Sequence, residues 1–149
     1  MSEHRVNVQW TRNGNTFNHE TYNRDHAWTF DNGIEIKASA APGFQGNPDC
    51  VDPEEALVGA LSSCHMLTFL AIAAKKRLVV DRYEDHAVGY LEENADGRMA
   101  VTRATLRPKV AWGGDKTPTP EEIEKMHEKA HRACFIANSV RTEVSIESP

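Results

Sequence analysis

The sequence is short of the features that announce several common functions. It holds no dense run of Lys and Arg, and with a net charge of −5 it offers no electrostatic footprint for a nucleic acid. No Gly-x-Ser-x-Gly elbow occurs, and Ser62-Ser63 fall inside a predicted helix, so a serine hydrolase has no support. There is no Cys-x-x-Cys pair among Cys50, Cys64 and Cys134. No internal repeat or low-complexity tract is visible. The segment Met1 to Gln9 is polar and lacks the apolar core of a signal peptide, so none is expected. Three cysteines is an odd count at spacings unlike a secreted disulfide scaffold, and the expected compartment is a reducing cytoplasm.

What remains is ordinary for a soluble globular protein: 149 residues, 40% hydrophobic and 26% charged, enough for one domain over 1–149 with a substantial core. One apolar stretch stands out. From Ala56 to Ala74 there is no Asp, Glu, Lys or Arg, a length that would span a bilayer. Ser62, Ser63, Cys64, His65 and Thr68 cluster in its middle, where hydrocarbon penalises polar groups most, so no membrane partner is expected. A central helix wrapped by sheet accounts for the same pattern.

Residues 4–11 alternate polar and apolar as a half-buried strand does. Residues 26–31 and 33–38 read as two strands around the hairpin signal Asn32-Gly33, and 39–51 read as a loop carrying Cys50. Asp52, Pro53 and Glu55 then mark a helix start, with the helix running to about Arg77. Long strands are predicted over 79–92 and 98–112 around an Asn94–Gly97 turn. Thr119, Pro120 and Glu122 open a second helix that ends near Cys134, and a last strand covers 141–147. Helices do not alternate singly with strands, so the class is α+β with a mainly antiparallel sheet.

In the first helix Leu57, Ala60, Leu61, Cys64, Leu67, Thr68 and Ala71 share a face, which places Cys64 where burial or an interface is expected. A free cysteine there reads as a small buried hydrophobe or as a nucleophile. The second reading carries a requirement. Cys64 lies about twelve residues past the N-cap, beyond the reach of the helix dipole, so a nearby cation is needed to lower its pKa. His127, His131 and Cys134 share a face of the second helix and form a competing metal-binding constellation, although three ligands on one helix rarely converge on one tetrahedral ion.

Asp52-Pro53-Glu54-Glu55-Ala56-Leu57, then Ser62-Ser63-Cys64, then His131-Arg132-Ala133-Cys134 near the C-terminus together resemble the OsmC/Ohr family of peroxide-reducing proteins. The strand and helix order fits as well. The resemblance implies an α+β fold wrapped around a long central helix and an intertwined homodimer with active sites at the subunit interface. It also implies a thiol peroxidase that reduces organic hydroperoxides in preference to hydrogen peroxide, in oxidative stress defence. Cys64 would be the peroxidatic cysteine, Cys134 the resolving one, and Glu54 the carboxylate that positions an arginine. Arg24 is the favoured arginine over Arg12. No cofactor or metal is implied, and the reductant is a dithiol, a lipoylated protein in some branches. The chain departs from the family pattern in Phe135, where proline often follows the distal cysteine, and in His65. The alternative is a non-enzymatic module of the same fold that binds an apolar ligand or Zn at the helix interface.

Ten residues separate Glu54 from Cys64, about 15 Å along a straight helix. The two can serve one site only if the helix breaks, for instance near Gly59, or if a second subunit supplies Glu54 and the arginine.

Overall fold

The computed structural model describes residues 1–14 and 16–149. Its contacts gather into two compact units, Met1–Ala56 and Leu57–Pro149.

The first unit is a three-stranded antiparallel sheet of β1 (Val6–Gln9), β2 (His26–Phe30) and β3 (Glu35–Ala38). Its β2–β3 turn is the expected one. Gly33 sits at φ 81°, a left-handed conformation that glycine adopts without strain, while Asn32 Oδ1 accepts from the Ile34 N–H. The 39–51 loop is tied back to the sheet, because the Ser39 N–H donates to the Val51 carbonyl.

The helix α1 (Pro53–Lys75) starts as its sequence dictates. The Glu55 N–H donates to Asp52 Oδ1 and the Asp52 N–H to Glu55 Oε2, a complete capping box with Pro53 following the cap. The helix runs unbroken past Gly59, so a break there is not what relates Glu54 to Cys64.

In the second unit the two long strands expected over 79–92 and 98–112 are four: β4 (Val79–Asp85), β5 (Val88–Glu93), β6 (Met99–Leu106) and β7 (Pro108–Gly113). They form one long hairpin, with β5 paired to β6 and β4 to β7, interrupted in the middle. The interruption has a chemical cause. Pro108 has no N–H for the ladder, and the neighbouring Arg107 N–H donates to Asp85 Oδ1 instead of across the sheet. The Asn94–Gly97 turn closes the hairpin tip, with Gly97 at φ 72°. β8 (Glu143–Ile146) adds to β6 in parallel.

The helix α2 (Pro120–Ala133) carries its own capping box between Thr119 and Glu122. Phe69, Ile72 and Ala73 of α1 pack on Met126 and Ala130 of α2, with Leu78, Val80, Tyr83, Val110 and Trp112 around them. The class is α+β and mainly antiparallel, as the sequence implies. The buried face of α1 is Leu61, His65, Phe69, Ile72 and Ala73. Ala60, Leu67 and Ala71, expected at a buried or interface face, are exposed in the single chain.

Candidate active site

Cys64 lies mid-way along α1 and is half-buried, while Cys134, the residue that ends α2, is 1% exposed. The structure brings these two together from 70 residues apart. Each thiol lies near enough to shift the pKa of the other. Cys50 belongs to the first unit's loop, and all three cysteines are free thiols.

The chain just after α2 explains the electrostatics. Cys134 leaves the helix in an extended conformation, with φ −70° and ψ 116°. That exit turns successive backbone N–H groups toward the sulfurs. Ala137 N–H lies 3.4 Å from Cys134 Sγ, and those of Ile136 and Phe135 serve Cys64. Burial works against the Cys64 thiolate, but the Ile136 N–H, the Cys134 thiol and the Phe135 N–H outweigh it, so Cys64 lies below the ordinary thiol range. Cys134 moves the other way. Burial raises it, and the bond to Cys64 and the charge there raise it further, against the Ala137 and Ile136 N–H groups. The pair is thus an asymmetric dithiol, with a half-buried member of lowered pKa and a buried member of raised pKa.

Among the described residues no cation contributes to the lowering of Cys64, which comes from the Ile136 and Phe135 amides and the Cys134 thiol. Arg24, in the first unit, donates to the carbonyls of Tyr22 and His19 at 2.8 and 2.7 Å, and its guanidinium lies 4.0 Å from the Tyr22 ring centroid. With Val8, Trp10, Phe17, Tyr22 and His26 it lines a largely apolar pocket of about 500 Å³. Glu54 is half-buried in the first turn of α1, and among the described residues no ion pair joins it to Arg24. Arg12 is exposed.

Residues near the cysteines in sequence form a second polar cluster. The Ser62 hydroxyl donates to Asp85 Oδ2, and His65 Nε2 meets His127 Nδ1 at 3.0 Å in the core. Both imidazoles are lowered to about 4, first by burial and, for His65, also by His127 and His131, while Asp85 acts in the opposite sense on both rings. The trio His127, His131 and Cys134 therefore divides. Cys134 joins Cys64, and His127 joins His65. The i, i+4, i+7 spacing that suggested one metal site did not reveal this division, which depends on how α1 crosses α2.

The family model for OsmC-like proteins matches residues 46–148. The chain belongs to the OsmC-like family. This OsmC-like chain is similar over its whole length to an OsmC-like protein of unknown function from Vibrio cholerae, at 50% identity and a TM-score of 0.97, with all of that chain covered. It also shares its fold with two organic hydroperoxide resistance proteins. One is from Elizabethkingia anophelis (19% identity, TM-score 0.70, 99% of this chain and 95% of that one), and the other is OhrB of Bacillus subtilis (18%, 0.69, 99% and 98%). No curated protein matches the sequence.

Proposed function

We propose that this OsmC-like protein is a cytoplasmic two-cysteine peroxidase for organic hydroperoxides, acting in oxidative stress defence. The observation that carries the reading is the asymmetric Cys64–Cys134 pair: one thiol lowered by backbone N–H groups, the other raised by burial and by the first beside it. The organic hydroperoxide resistance proteins of the same fold support the substrate class.

In the cycle, the Cys64 thiolate attacks the distal oxygen of ROOH. The O–O bond breaks, an S–O bond forms, and the alkoxide leaves as alcohol after taking a proton. Sulfur is oxidised and the peroxide reduced by two electrons. The Cys134 thiol then displaces hydroxide from the sulfenic acid, giving water and a Cys64–Cys134 disulfide. An external dithiol, such as a lipoylated protein, returns both thiols by exchange.

The protein acts as a homodimer in this proposal. Glu54 is about 15 Å from Cys64 along an unbroken helix, so the second copy supplies Glu54 and Arg24 to the site. Leu67 (61% exposed) and Phe135 (81% exposed) give the apolar face that such a partner would cover. The apolar surface also suits a bulky hydroperoxide tail.

The deciding experiment is turnover of cumene hydroperoxide with a dithiol reductant, followed by peptide mapping after one equivalent of peroxide. A Cys64–Cys134 disulfide is the expected product. Peroxide-inert thiols would overturn the reading, and oxidation confined to Cys50 would overturn the assignment of the resolving thiol.

A further inference from the structure

The buried histidines are not used by the thiol chemistry, and two of their nitrogens lack a partner. His65 and His127 are 1% and 3% exposed. Their rings are nearly coplanar at 9°, with centroids 5.3 Å apart and a 3.0 Å nitrogen–nitrogen contact. That centroid separation is the contact distance plus one ring radius at each end. The bond is therefore in-line, one imidazole N–H donating into the lone pair of the other. Two nitrogens facing each other in this way leave no place for an ion between them.

The opposite edge of His127 is different. His127 Nε2 is buried without a hydrogen-bond partner, and so is His131 Nδ1 one turn along. Both residues line a pocket of about 600 Å³ with Glu124, Glu128 and Glu147. Along α2, Glu124 precedes His127 and Glu128 precedes His131 by three residues each, which sets a glutamate beside each histidine on one helical face. Glu147 is already engaged by Arg107 at 3.0 Å, whereas Glu124 and Glu128 are exposed at the rim.

We infer that this pocket of α2 binds a divalent cation of the zinc class through His127 and His131, outside the thiol site. Four observations meet here. An unpartnered buried nitrogen costs free energy that a bound ion would recover. Imidazoles at i and i+4 lie on one face and suit a borderline-soft divalent ion. The carboxylates give the pocket the right sign of charge. The far nitrogen of His127 is held by His65, and Phe69 stacks on the ring with centroids 4.3 Å apart, which is the orienting support that metal-bound histidines have. The arrangement also fixes the protons. A lone pair at His127 Nε2 requires the proton on Nδ1, which donates to His65 Nε2. Among the described residues no three His, Cys, Asp or Glu side chains are grouped to enclose an ion, so the remaining ligands are water or Glu124 and Glu128 swinging in from the rim.

The test is calorimetric titration of the metal-free, reduced protein with Zn²⁺, repeated with Co²⁺ and followed by absorption. One ion per chain is expected, with cobalt d–d bands and no thiolate-to-cobalt charge transfer. His131→Gln should weaken binding by at least about tenfold with an unchanged circular dichroism spectrum. Imidazole NMR of the unsubstituted protein is a second readout, in which Zn²⁺ should shift the His127 and His131 rings. Absence of one-to-one binding, binding indifferent to His131→Gln, a thiolate charge-transfer band lost in Cys64→Ser, or unshifted imidazoles would each overturn the inference.

Discussion

Cys64 and Cys134 each act on the other's acidity, and they move apart: against burial, the Ile136 amide, the Cys134 thiol and the Phe135 amide bring Cys64 down, while burial first and then Cys64 push Cys134 up. A dithiol divided this way has one member ready to attack and one held back until an electrophilic sulfur forms beside it. Cys64→Ser should therefore abolish hydroperoxide turnover, a loss of about three orders of magnitude or more when the nucleophile is removed. Cys134→Ser should consume one equivalent of peroxide in forming the Cys64 sulfenic acid, and a second equivalent should carry it to sulfinic acid, read by intact mass. Sustained turnover in Cys134→Ser would show that another thiol resolves the intermediate.

The N–H groups beyond α2 take the place of a local cation, so removing one should be measurable at Cys64. Ile136 has φ −69°, a value that proline adopts without strain, and Ile136→Pro deletes one donor to the sulfur. The pH midpoint of Cys64 alkylation by iodoacetamide should move upward. The rate at neutral pH should drop about tenfold, since a hydrogen bond to a charged acceptor is worth about 1.5 kcal/mol. An unchanged midpoint would mean that the Cys134 thiol and the Phe135 N–H stabilise the thiolate without Ile136.

The local grammar of this chain was legible from residue types. Capping boxes at Asp52 and Thr119 and the turn at Asn32-Gly33 stand where their sequences put them, because each is satisfied by residues within a few positions. The interruption of the long hairpin was less so. Pro108 signals it in principle, but the acceptor that holds it open is Asp85, 22 residues away in sequence from the Arg107 N–H. The face of α1 that is buried within one chain was legible only in part, for a related reason. That helix is apolar nearly all round, so periodicity alone could not choose between the Leu61–His65–Phe69 face and the neighbouring Ala60–Leu67–Ala71 one. The site depended still more on tertiary placement. Spacing along α2 put Cys134 with the histidines, whereas the crossing of α1 over α2 decides which of them meets Cys64. The amides of Phe135 and Ile136 carry no side-chain signature at all.

The His65–His127 pair makes stability depend on pH. Both rings are held near a pKa of about 4, against 6.5 when unperturbed, chiefly by burial. Between these values the unfolded chain binds protons that the folded chain does not, so stability is complete above about pH 6.5 and falls as pH drops toward 4. A shift of this size is worth roughly 3 kcal/mol for one ring, and the two shares are not additive because the charged rings repel. Urea midpoints of the metal-free protein should decline over that window. The double variant His65→Leu, His127→Leu removes both partners together and should flatten the decline. A slope unchanged in the double variant would assign it to carboxylates instead.

Leu67 and Phe135 expose large apolar side chains close in sequence to the two cysteines. If a second copy covers them and delivers Glu54 and Arg24 to Cys64, assembly and activity should fail together. Light scattering of the unsubstituted protein should give twice the chain mass of 16.7 kDa. Leu67→Glu places a charge on that face, and an unpaired buried charge costs several kcal/mol, enough to shift the species to a single chain. The same variant should lose most hydroperoxide turnover while retaining its helical circular dichroism, since Leu67 lies outside the buried face of α1. Arg24→Ala separates the two effects. It leaves the apolar face intact, so it should preserve the dimer and reduce turnover. A monomer with full activity would place every needed group on one chain and remove Glu54 and Arg24 from the site.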